Sequence, residues 1–149
     1  MMKNKKSYGQ ENDLNLKTFV ILSRCFQSVQ KREMKTIRGG GLTVAQFGVL
    51  EILYHRGDLR ISEIIEGTLS TGGNMTVVIG NLEQNGFIGR YQDTQDGRVS
   101  IIRLKEKGEI LMKSIFPNHV DNISGIFNVL TVEEKNELIQ LLKKLGSTT

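Results

Sequence analysis

Apolar residues recur at three- and four-residue steps along most of this chain, which is the period of an amphipathic α-helix. The pattern predicts a first helix from Leu14 to about Arg38, and the glycines at 39–41 end it because they favour a turn over a helix. A second helix is predicted behind Thr43, a good N-cap, and it stops at Gly57.

Two more short helices are predicted directly afterwards. The stretch "RISEIIEGTL" (60–69) predicts a third helix with Ser62 near its start. The stretch "STGGNMTVVIGNLEQNGF" (70–87) predicts a fourth, capped by Ser70 or Thr71, with an apolar face formed by Met75, Val78, Ile79 and Leu82. Compact helices separated by a couple of residues are typical of a helix-turn-helix.

The pattern then changes to two short strand-like segments. "FIGRYQ" (87–92) and "RVSIIRL" (98–104) flank "DTQDG" (93–97), whose Asp-Gly pair favours a tight turn. A β-hairpin directly after a helix-turn-helix is a wing. Residues 42–105 are therefore predicted to form a winged helix-turn-helix.

The helical period returns after the hairpin. It is interrupted by the only proline, Pro117, where we expect a bend or break. A closing helix begins behind Thr131, and Glu134 completes a capping box. The predicted fold class is mainly α with a small β-hairpin wing.

One domain is expected over residues 14–149, preceded by a polar, Lys-rich segment at 1–13 that predicts a flexible tail. The helices in 14–38 and 106–149 lie outside the winged module, and their apolar faces are too large for a domain of this size to cover. Such faces are most simply buried against a second copy, which predicts a homodimer.

Composition excludes several classes of protein. No apolar run approaches the roughly 18 residues that span a membrane, and no apolar segment follows the basic N-terminus as in a secretory signal, so we expect a cytoplasmic protein with no membrane partner. One cysteine and two histidines are too few for structural zinc. Neither histidine lies near a nucleophile and no glycine-rich nucleotide loop occurs, so we predict no enzyme activity and no cofactor.

A net charge of +4 permits an acidic partner, and the placement of polar residues favours double-stranded DNA. The second helix of a helix-turn-helix enters the major groove with its N-terminal residues at the base edges. There Asn74 can pair with an adenine edge and Thr76 can contact a phosphate. The alternative is that these residues serve only as helix caps and turn residues.

Arg98 lies at the predicted tip of the wing, and an arginine on a narrow ribbon fits the minor groove. The alternative is an exposed salt bridge to Asp96, and both can hold if Asp96 orients the arginine before binding. The full set of candidate DNA-binding residues is Ser70, Thr71, Gly73, Asn74, Met75, Thr76, Asn81, Arg90, Asp96 and Arg98.

Several segments resemble the MarR-type winged-helix transcriptional regulators. They are "LTVAQFGVLEIL" (42–53), "GGNMTVVIGNLEQNGFIGR" (72–90), "DTQDGRVSIIRLKEKGEIL" (93–111) and "LTVEEKNELIQLLKKL" (130–145). The resemblance implies a homodimeric repressor of a pseudo-palindromic operator, with residues 72–85 as recognition helix and Arg98 in the minor groove. It also implies release by a small-molecule effector or an oxidant. Gly80 departs from the family, which usually carries a larger polar residue there.

The signal is left open by the residues themselves. Phe47 and Tyr54 can line an effector pocket, although aromatic residues at helical spacing also suit a core. Cys25 shares an apolar face with Leu22 and Phe26, which predicts an inert core cysteine. The alternatives are an oxidant sensor that forms an intersubunit disulfide at Cys25, and a sequence-neutral architectural DNA-binding protein.

Overall fold

The computed structural model describes residues 5–68 and 72–147. The first four residues of the predicted tail and the candidate caps Ser70 and Thr71 lie outside the described residues. Within the described part, helices dominate and three short strands accompany them, which confirms the mainly α fold with a wing. The elements are α1 Gln10–Gly39, α2 Val44–Arg56, β1 Leu59–Arg60, α3 Ile61–Thr68, α4 Gly72–Gln84, β2 Ile88–Gln92, β3 Ser100–Leu104, α5 Glu106–Phe127 and α6 Val132–Gly146.

Helix α1 begins at Gln10, so the prediction of a tail is wrong for residues 10–13. Asp13 supplies the local reason, because its carboxylate accepts the backbone N–H of Tyr8 at 2.9 Å and the hydroxyl of Ser7. These hydrogen bonds, that from Ser7 above all, hold the pKa of Asp13 below its usual value. A charged carboxylate in the first turn also interacts favourably with the helix dipole.

The ends of α2 and α6 lie where local sequence signals place them. Thr43 and Gln46 form a capping box at the start of α2, and Gly57 ends the helix with a φ of 83°. Thr131 and Glu134 form the corresponding box at the start of α6. These bounds confirm the predicted caps.

Helix α5 runs unbroken through Pro117, so the predicted break is wrong. Proline removes one intrahelical hydrogen bond, at a cost of roughly 3 kcal/mol in a helix interior. Packing on both sides of Pro117 offsets that cost, since Met112 and His119 are buried. The side-chain amide of Asn122 also donates to the backbone oxygen of Arg32 at 2.9 Å, which ties α5 to α1.

The strands form an antiparallel sheet in the order β1-β3-β2. The β2–β3 hairpin pairs Ile88 with Leu104 and Gln92 with Ser100, as the pattern predicts. Strand β1 was not predicted, because two residues are too few to show a period. It adds Leu59 opposite Ile102 and so joins the start of α3 to the wing.

The core lies between the helices and the inner face of the sheet. The four apolar positions predicted for α4 are all buried, and they pack with Leu50 of α2, Ile88 of β2 and Ile102 of β3. Gly108 at the start of α5 permits close contact with the sheet, since a Cβ there would lie 2.4 Å from the backbone oxygen of Phe87. The core therefore fixes α4 with one face inward and the other outward.

The first half of α1 and all of α6 lie outside this core. None of the described residues of α6 is buried, and Phe19 and Phe26 of α1 are 65% and 59% exposed in the single chain. Cys25 is exposed as well, so the prediction of a core cysteine is wrong for the single chain. Apolar spacing showed that this face is hydrophobic but did not show that its own chain leaves it uncovered. Across the described residues, no helix is long and apolar enough to cross a membrane.

Candidate nucleic-acid interface

The outward face of α4 carries small and polar side chains together with the exposed Val77 and Glu83. Asn74, Val77 and Asn81 follow each other at three- and four-residue steps on the exposed side, and a Cβ at Gly80 would meet nothing within 4 Å. Thr76 is also exposed. Asparagine amides offer the paired donor and acceptor that suit base edges, and the small neighbours permit close approach to DNA. Gly73 lies in the first turn of the same helix.

Met75 requires a correction to the predicted DNA-binding set. Its side chain is 1% exposed and belongs to the core cluster, so it cannot contact a bound duplex. The helical period places residue 75 opposite residue 77, and the core takes the more apolar of the two faces. Met75 therefore connects α4 to the interior.

The wing is a tight turn organised by two aspartates. The backbone N–H of Asp93 donates to the oxygen of Val99 at 2.9 Å, and the oxygen of Asp96 accepts the N–H of Val99 at 3.0 Å. The Asp96 carboxylate accepts both the backbone N–H of Arg98 at 3.1 Å and its side-chain Nε at 3.3 Å. This brings Asp96 and Arg98 together as predicted for the unbound wing.

Arg98 nonetheless remains available to a ligand. Its side chain is 93% exposed, so the ion pair with Asp96 is open to water on almost every side. Exposed pairs of this kind contribute under about 1 kcal/mol. Asp96 can therefore orient the guanidinium without preventing its insertion into a groove.

Arg90 has a different environment from Arg98. It lies on β2, and its Nε is 3.2 Å from the carboxylate of Glu83 near the end of α4. The pair links α4 to the hairpin, and 39% of the arginine side chain stays exposed. Arg90 therefore holds the hairpin against α4 while part of its side chain remains accessible.

Cations outside α4 are needed for phosphate contacts, because residues 72–84 contain no lysine or arginine. Three cations that were not among the predicted DNA-binding residues lie around the sheet. Arg60 pairs with Asp93 at 2.8 Å, and Arg103 pairs with Asp58 at 2.8 Å. Lys107 donates to the backbone oxygen of Asn85 at 2.7 Å. The two ion pairs join residues 33 and 45 positions apart, so no local pattern signals them.

A cavity of about 670 Å³ lies behind α4, between α1, α2 and the end of α3. Phe47 lines it as predicted for a pocket residue, whereas Tyr54 does not. Tyr54 instead contacts the rings of His55 and Phe116. Met75 is the α4 residue in the lining, which also includes Glu33, Ile37, Glu51, Ile52, His55, Arg56 and Thr68.

The two histidines contact neighbouring helix groups. His55 Nδ1 lies 2.8 Å from the backbone oxygen of Glu51, in the last turns of α2. His119 is buried, with Nδ1 3.3 Å from the Thr36 hydroxyl and its ring 4.7 Å from that of Phe47. Among the residues that the structure describes, no cluster of three or more His, Cys, Asp or Glu is placed to hold a metal ion.

Comparison with known proteins identifies this arrangement. Residues 42–100, which span α2 to the first residue of β3, match the model of the MarR family. The transcriptional regulator MhqR of Bacillus subtilis is 36% identical over 132 residues, which cover 89% of this chain and 91% of MhqR. The chain belongs to the MarR family. This MarR-family protein is therefore a DNA-binding transcriptional regulator, and the prediction that it is not an enzyme is confirmed.

Two further likenesses extend the comparison. The transcriptional repressor MdtR of Bacillus subtilis is 29% identical over 125 residues, covering 84% of this chain and 81% of MdtR. The crystal structure of Sco3205, a MarR-family regulator from Streptomyces coelicolor in complex with DNA, matches with a TM-score of 0.81. That match covers 97% of this chain and 92% of Sco3205 at 20% identity, so it shows the shared fold.

Proposed function

We propose that this protein is a homodimeric repressor that binds a pseudo-palindromic operator and leaves it when a small molecule occupies the cavity behind α4. The observation that carries the proposal is the exposed polar face of α4 beside an arginine displayed on the wing. MdtR is a repressor and the crystal structure of Sco3205 is a complex with DNA, and both likenesses support a repressor that binds DNA.

The two exposed surfaces are suited to two different grooves. The asparagine amides of α4 can read base edges in the major groove, where each base pair presents a distinct pattern of donors and acceptors. The guanidinium of Arg98 can enter the minor groove, whose width and negative potential depend on the sequence. Cations beside them, such as Arg90, provide the phosphate contacts that set register.

A second copy of this chain provides the most economical cover for the exposed apolar helices. Leu141 and Leu142 of α6 and Phe19 and Phe26 of α1 are each more than 40% exposed in the single chain. A soluble chain with exposed apolar faces of this extent is expected to bury them in an interface. A two-fold dimer also presents two α4 helices, which explains a pseudo-palindromic operator.

The cavity offers a physical route from a small molecule to DNA binding. Its lining combines apolar side chains such as Ile37 and Phe47 with the charged ends of Glu33, Glu51 and Arg56. Its volume falls in the usual range of roughly 300–1,000 Å³ for ligand sites. Because Met75 belongs both to the lining and to the recognition helix, an occupant that displaces Met75 shifts α4.

A mobility-shift titration tests the central proposal. The purified protein is titrated at ~0.15 M salt against intergenic DNA next to its own gene and against a scrambled duplex. We expect an operator affinity at least ~10³-fold above that for the scrambled duplex, with one dimer per site. Equal and weak binding to both duplexes would instead favour the sequence-neutral architectural protein.

Variants of Arg98 test the wing. Arg98→Ala is expected to weaken operator binding by about 1–3 kcal/mol without changing the oligomeric state. Arg98→Lys keeps the charge but loses the planar fork, and we expect it to recover only part of the loss. Lys31→Ala removes one positive charge from the exposed surface of α1 and serves as the control for net charge. Equal effects of Arg98→Ala and Lys31→Ala would contradict a specific wing contact.

The exposure of Cys25 gives the oxidant-sensing alternative a definite test. The thiol lies on the face of α1 that the proposed dimer covers, so an intersubunit disulfide would form there if anywhere. Cys25→Ser is compared with the parent protein for release from the operator under peroxide. Unchanged release by the variant would remove the oxidant-sensing alternative.

A further inference from the structure

The ion pair between Arg60 and Asp93 lies where the strands of the hairpin end and the wing turn (93–99) begins. Asp93 directly follows β2, at the point where the chain enters the turn that carries Arg98. Arg60 is the last residue of β1 and directly precedes α3. The pair therefore joins the start of the helix-turn-helix to the start of the wing turn.

Asp93 differs from the other carboxylates that form ion pairs. Its side chain is 11% exposed, whereas Glu83, Asp96, Asp58 and Glu109 are 41–53% exposed within the described part of the chain. Water and salt screen a partly buried pair less than an exposed one. The Arg60 side chain is 47% exposed, so the shielding is on the carboxylate side, and among the ion pairs of the described residues this one has the carboxylate least open to water.

Both oxygens of the Asp93 carboxylate accept hydrogen bonds, one from Arg60 and the other from within the wing turn. Oδ2 accepts Nη2 of Arg60 at 2.8 Å, and Oδ1 accepts the backbone N–H of Gln95 inside the wing turn at 2.9 Å. On the other side, the backbone N–H of Arg60 donates to the carboxylate of Glu63 in the first turn of α3 at 2.7 Å. The hydrogen bonds form a continuous path from α3 through Arg60 and Asp93 into the wing.

We infer that Asp93 and Arg60 are positioning residues for DNA recognition, which set the wing at the angle where Arg98 and α4 reach their grooves together. The inference rests on the proposed role of Arg98 in the minor groove. A hairpin is hinged where its strands end, so without a contact beyond the strands Arg98 would sample many positions. Ordering the wing before binding lowers the entropic cost of placing the guanidinium.

The variant Asp93→Asn separates positioning from simple electrostatics. An asparagine can still accept the N–H of Gln95 through its oxygen, but it then turns an amide N–H₂ group toward the donor Arg60. The variant also raises the net charge of the chain by one, which by itself strengthens attraction to DNA. We nevertheless expect operator affinity to fall about 5- to 10-fold, while affinity for scrambled DNA stays level or rises.

Glu66→Gln is the matched control, because it makes the same charge change on the exposed surface of α3. We expect it to leave operator affinity level or slightly higher. A double-mutant cycle with Arg98→Ala supplies a readout that a loss of stability would not move. If Asp93 acts through Arg98, the double variant Asp93→Asn/Arg98→Ala binds the operator within about twofold of Arg98→Ala alone.

The possible results distinguish the two proposals. If Arg98→Ala leaves operator binding unchanged, both the minor-groove role and the positioning role fail. If Arg98→Ala weakens binding but Asp93→Asn behaves like Glu66→Gln, the positioning role fails alone. Effects of Asp93→Asn and Arg98→Ala that multiply in the double variant also overturn it, because independent contacts give that result.

A second variant keeps the test available if Asp93→Asn does not fold, as judged by its circular dichroism spectrum and melting curve. Arg60→Gln breaks the same pair from the other side. Lys113→Gln is its control, because it also removes one positive charge from an exposed ion pair, the one with Glu109 on α5, outside the wing and α4. We expect a loss of operator affinity and coupling to Arg98→Ala for Arg60→Gln, and neither for Lys113→Gln. Equal behaviour of the two variants would overturn the inference.

Discussion

The same substitution at two helical glycines should change the stability of this protein in opposite directions. Gly80 lies in the interior of α4 on its exposed side, next to the buried Ile79, and a Cβ there would meet nothing within 4 Å. Alanine is favoured over glycine in a helix interior by about 0.8–1.0 kcal/mol, largely because glycine loses more backbone freedom on folding. With no steric cost to subtract, Gly80→Ala should raise the free energy of unfolding by about that amount.

At Gly108, in the first turn of α5, the same substitution should lower the stability. A Cβ at this position would lie 2.4 Å from the backbone oxygen of Phe87 and 2.7 Å from Cδ1 of Leu104. The leucine tip can rotate away, but the Phe87 oxygen is held because it accepts the N–H of Lys105 at 2.9 Å. Overpacking costs about 1–3 kcal/mol, and the fixed backbone oxygen places Gly108→Ala at the upper end of this range. After a helix-propensity gain of about 1 kcal/mol, the substitution should lower the free energy of unfolding by about 2 kcal/mol.

Urea denaturation followed by circular dichroism measures both effects. The parent and the variants are compared at one protein concentration, because the stability of a dimer depends on concentration. A change of 1 kcal/mol corresponds to roughly 2–4 °C in melting temperature for a chain of this size. A lower midpoint for Gly80→Ala would refute the placement of Gly80 on an open face. A midpoint for Gly108→Ala at or above that of the parent would refute the close contact between α5 and the hairpin.

Three further predictions address the core, the dimer and the wing. Met75→Ala should lower the free energy of unfolding by about 2–5 kcal/mol in the same assay, and a loss below 1 kcal/mol would contradict the burial of Met75. Leu142→Lys should convert the proposed dimer to monomer in sedimentation analysis, because it places a charge on the apolar face of α6, and an intact dimer would place the interface elsewhere. The pKa of Asp93 is lowered from 3.8, first by the Gln95 N–H and then by Arg60. The stability that the charged carboxylate contributes is therefore present above pH 3.8, and it is lost only as the pH falls through the lower pKa of the folded state. The amide shift of Gln95 in an NMR titration should therefore have its midpoint below pH 3.8, and a midpoint at or above this value would contradict the contact.

Local signals in the sequence determined most of the secondary structure. The caps at Thr43 and Thr131 are complete within four residues of chain, and the Asp-Gly turn of the wing is equally local. The period of α4 also distinguishes a buried face from an exposed one. For the same reason the sequence indicated Asn74 and Arg98 as candidates for DNA contact, since both depend on position within a single element.

Other features could be decided only by packing between elements. Apolar spacing predicts a hydrophobic face but does not say what covers it, so Cys25 was expected in a core that its own chain does not provide. Pro117 was expected to break α5 because local propensity disfavours it, and contacts with α1 and α2 override that preference. Met75 lies in the segment that was predicted to contact DNA, yet its side chain is buried in the core and lines the cavity.

The start of the wing turn shows most directly what the local sequence determines and what tertiary contacts decide. The turn at 93–97 and the arginine that follows it can be predicted from a dozen consecutive residues. The partner that orients this turn, Arg60, lies 33 residues earlier in the chain. Periodicity reports only on neighbours within a few residues, whereas the antiparallel pairing of β1 with β3 brings Arg60 and Asp93 together. The sequence by itself therefore indicated the wing turn and its exposed arginine, and the tertiary structure decided which residue holds the turn in place.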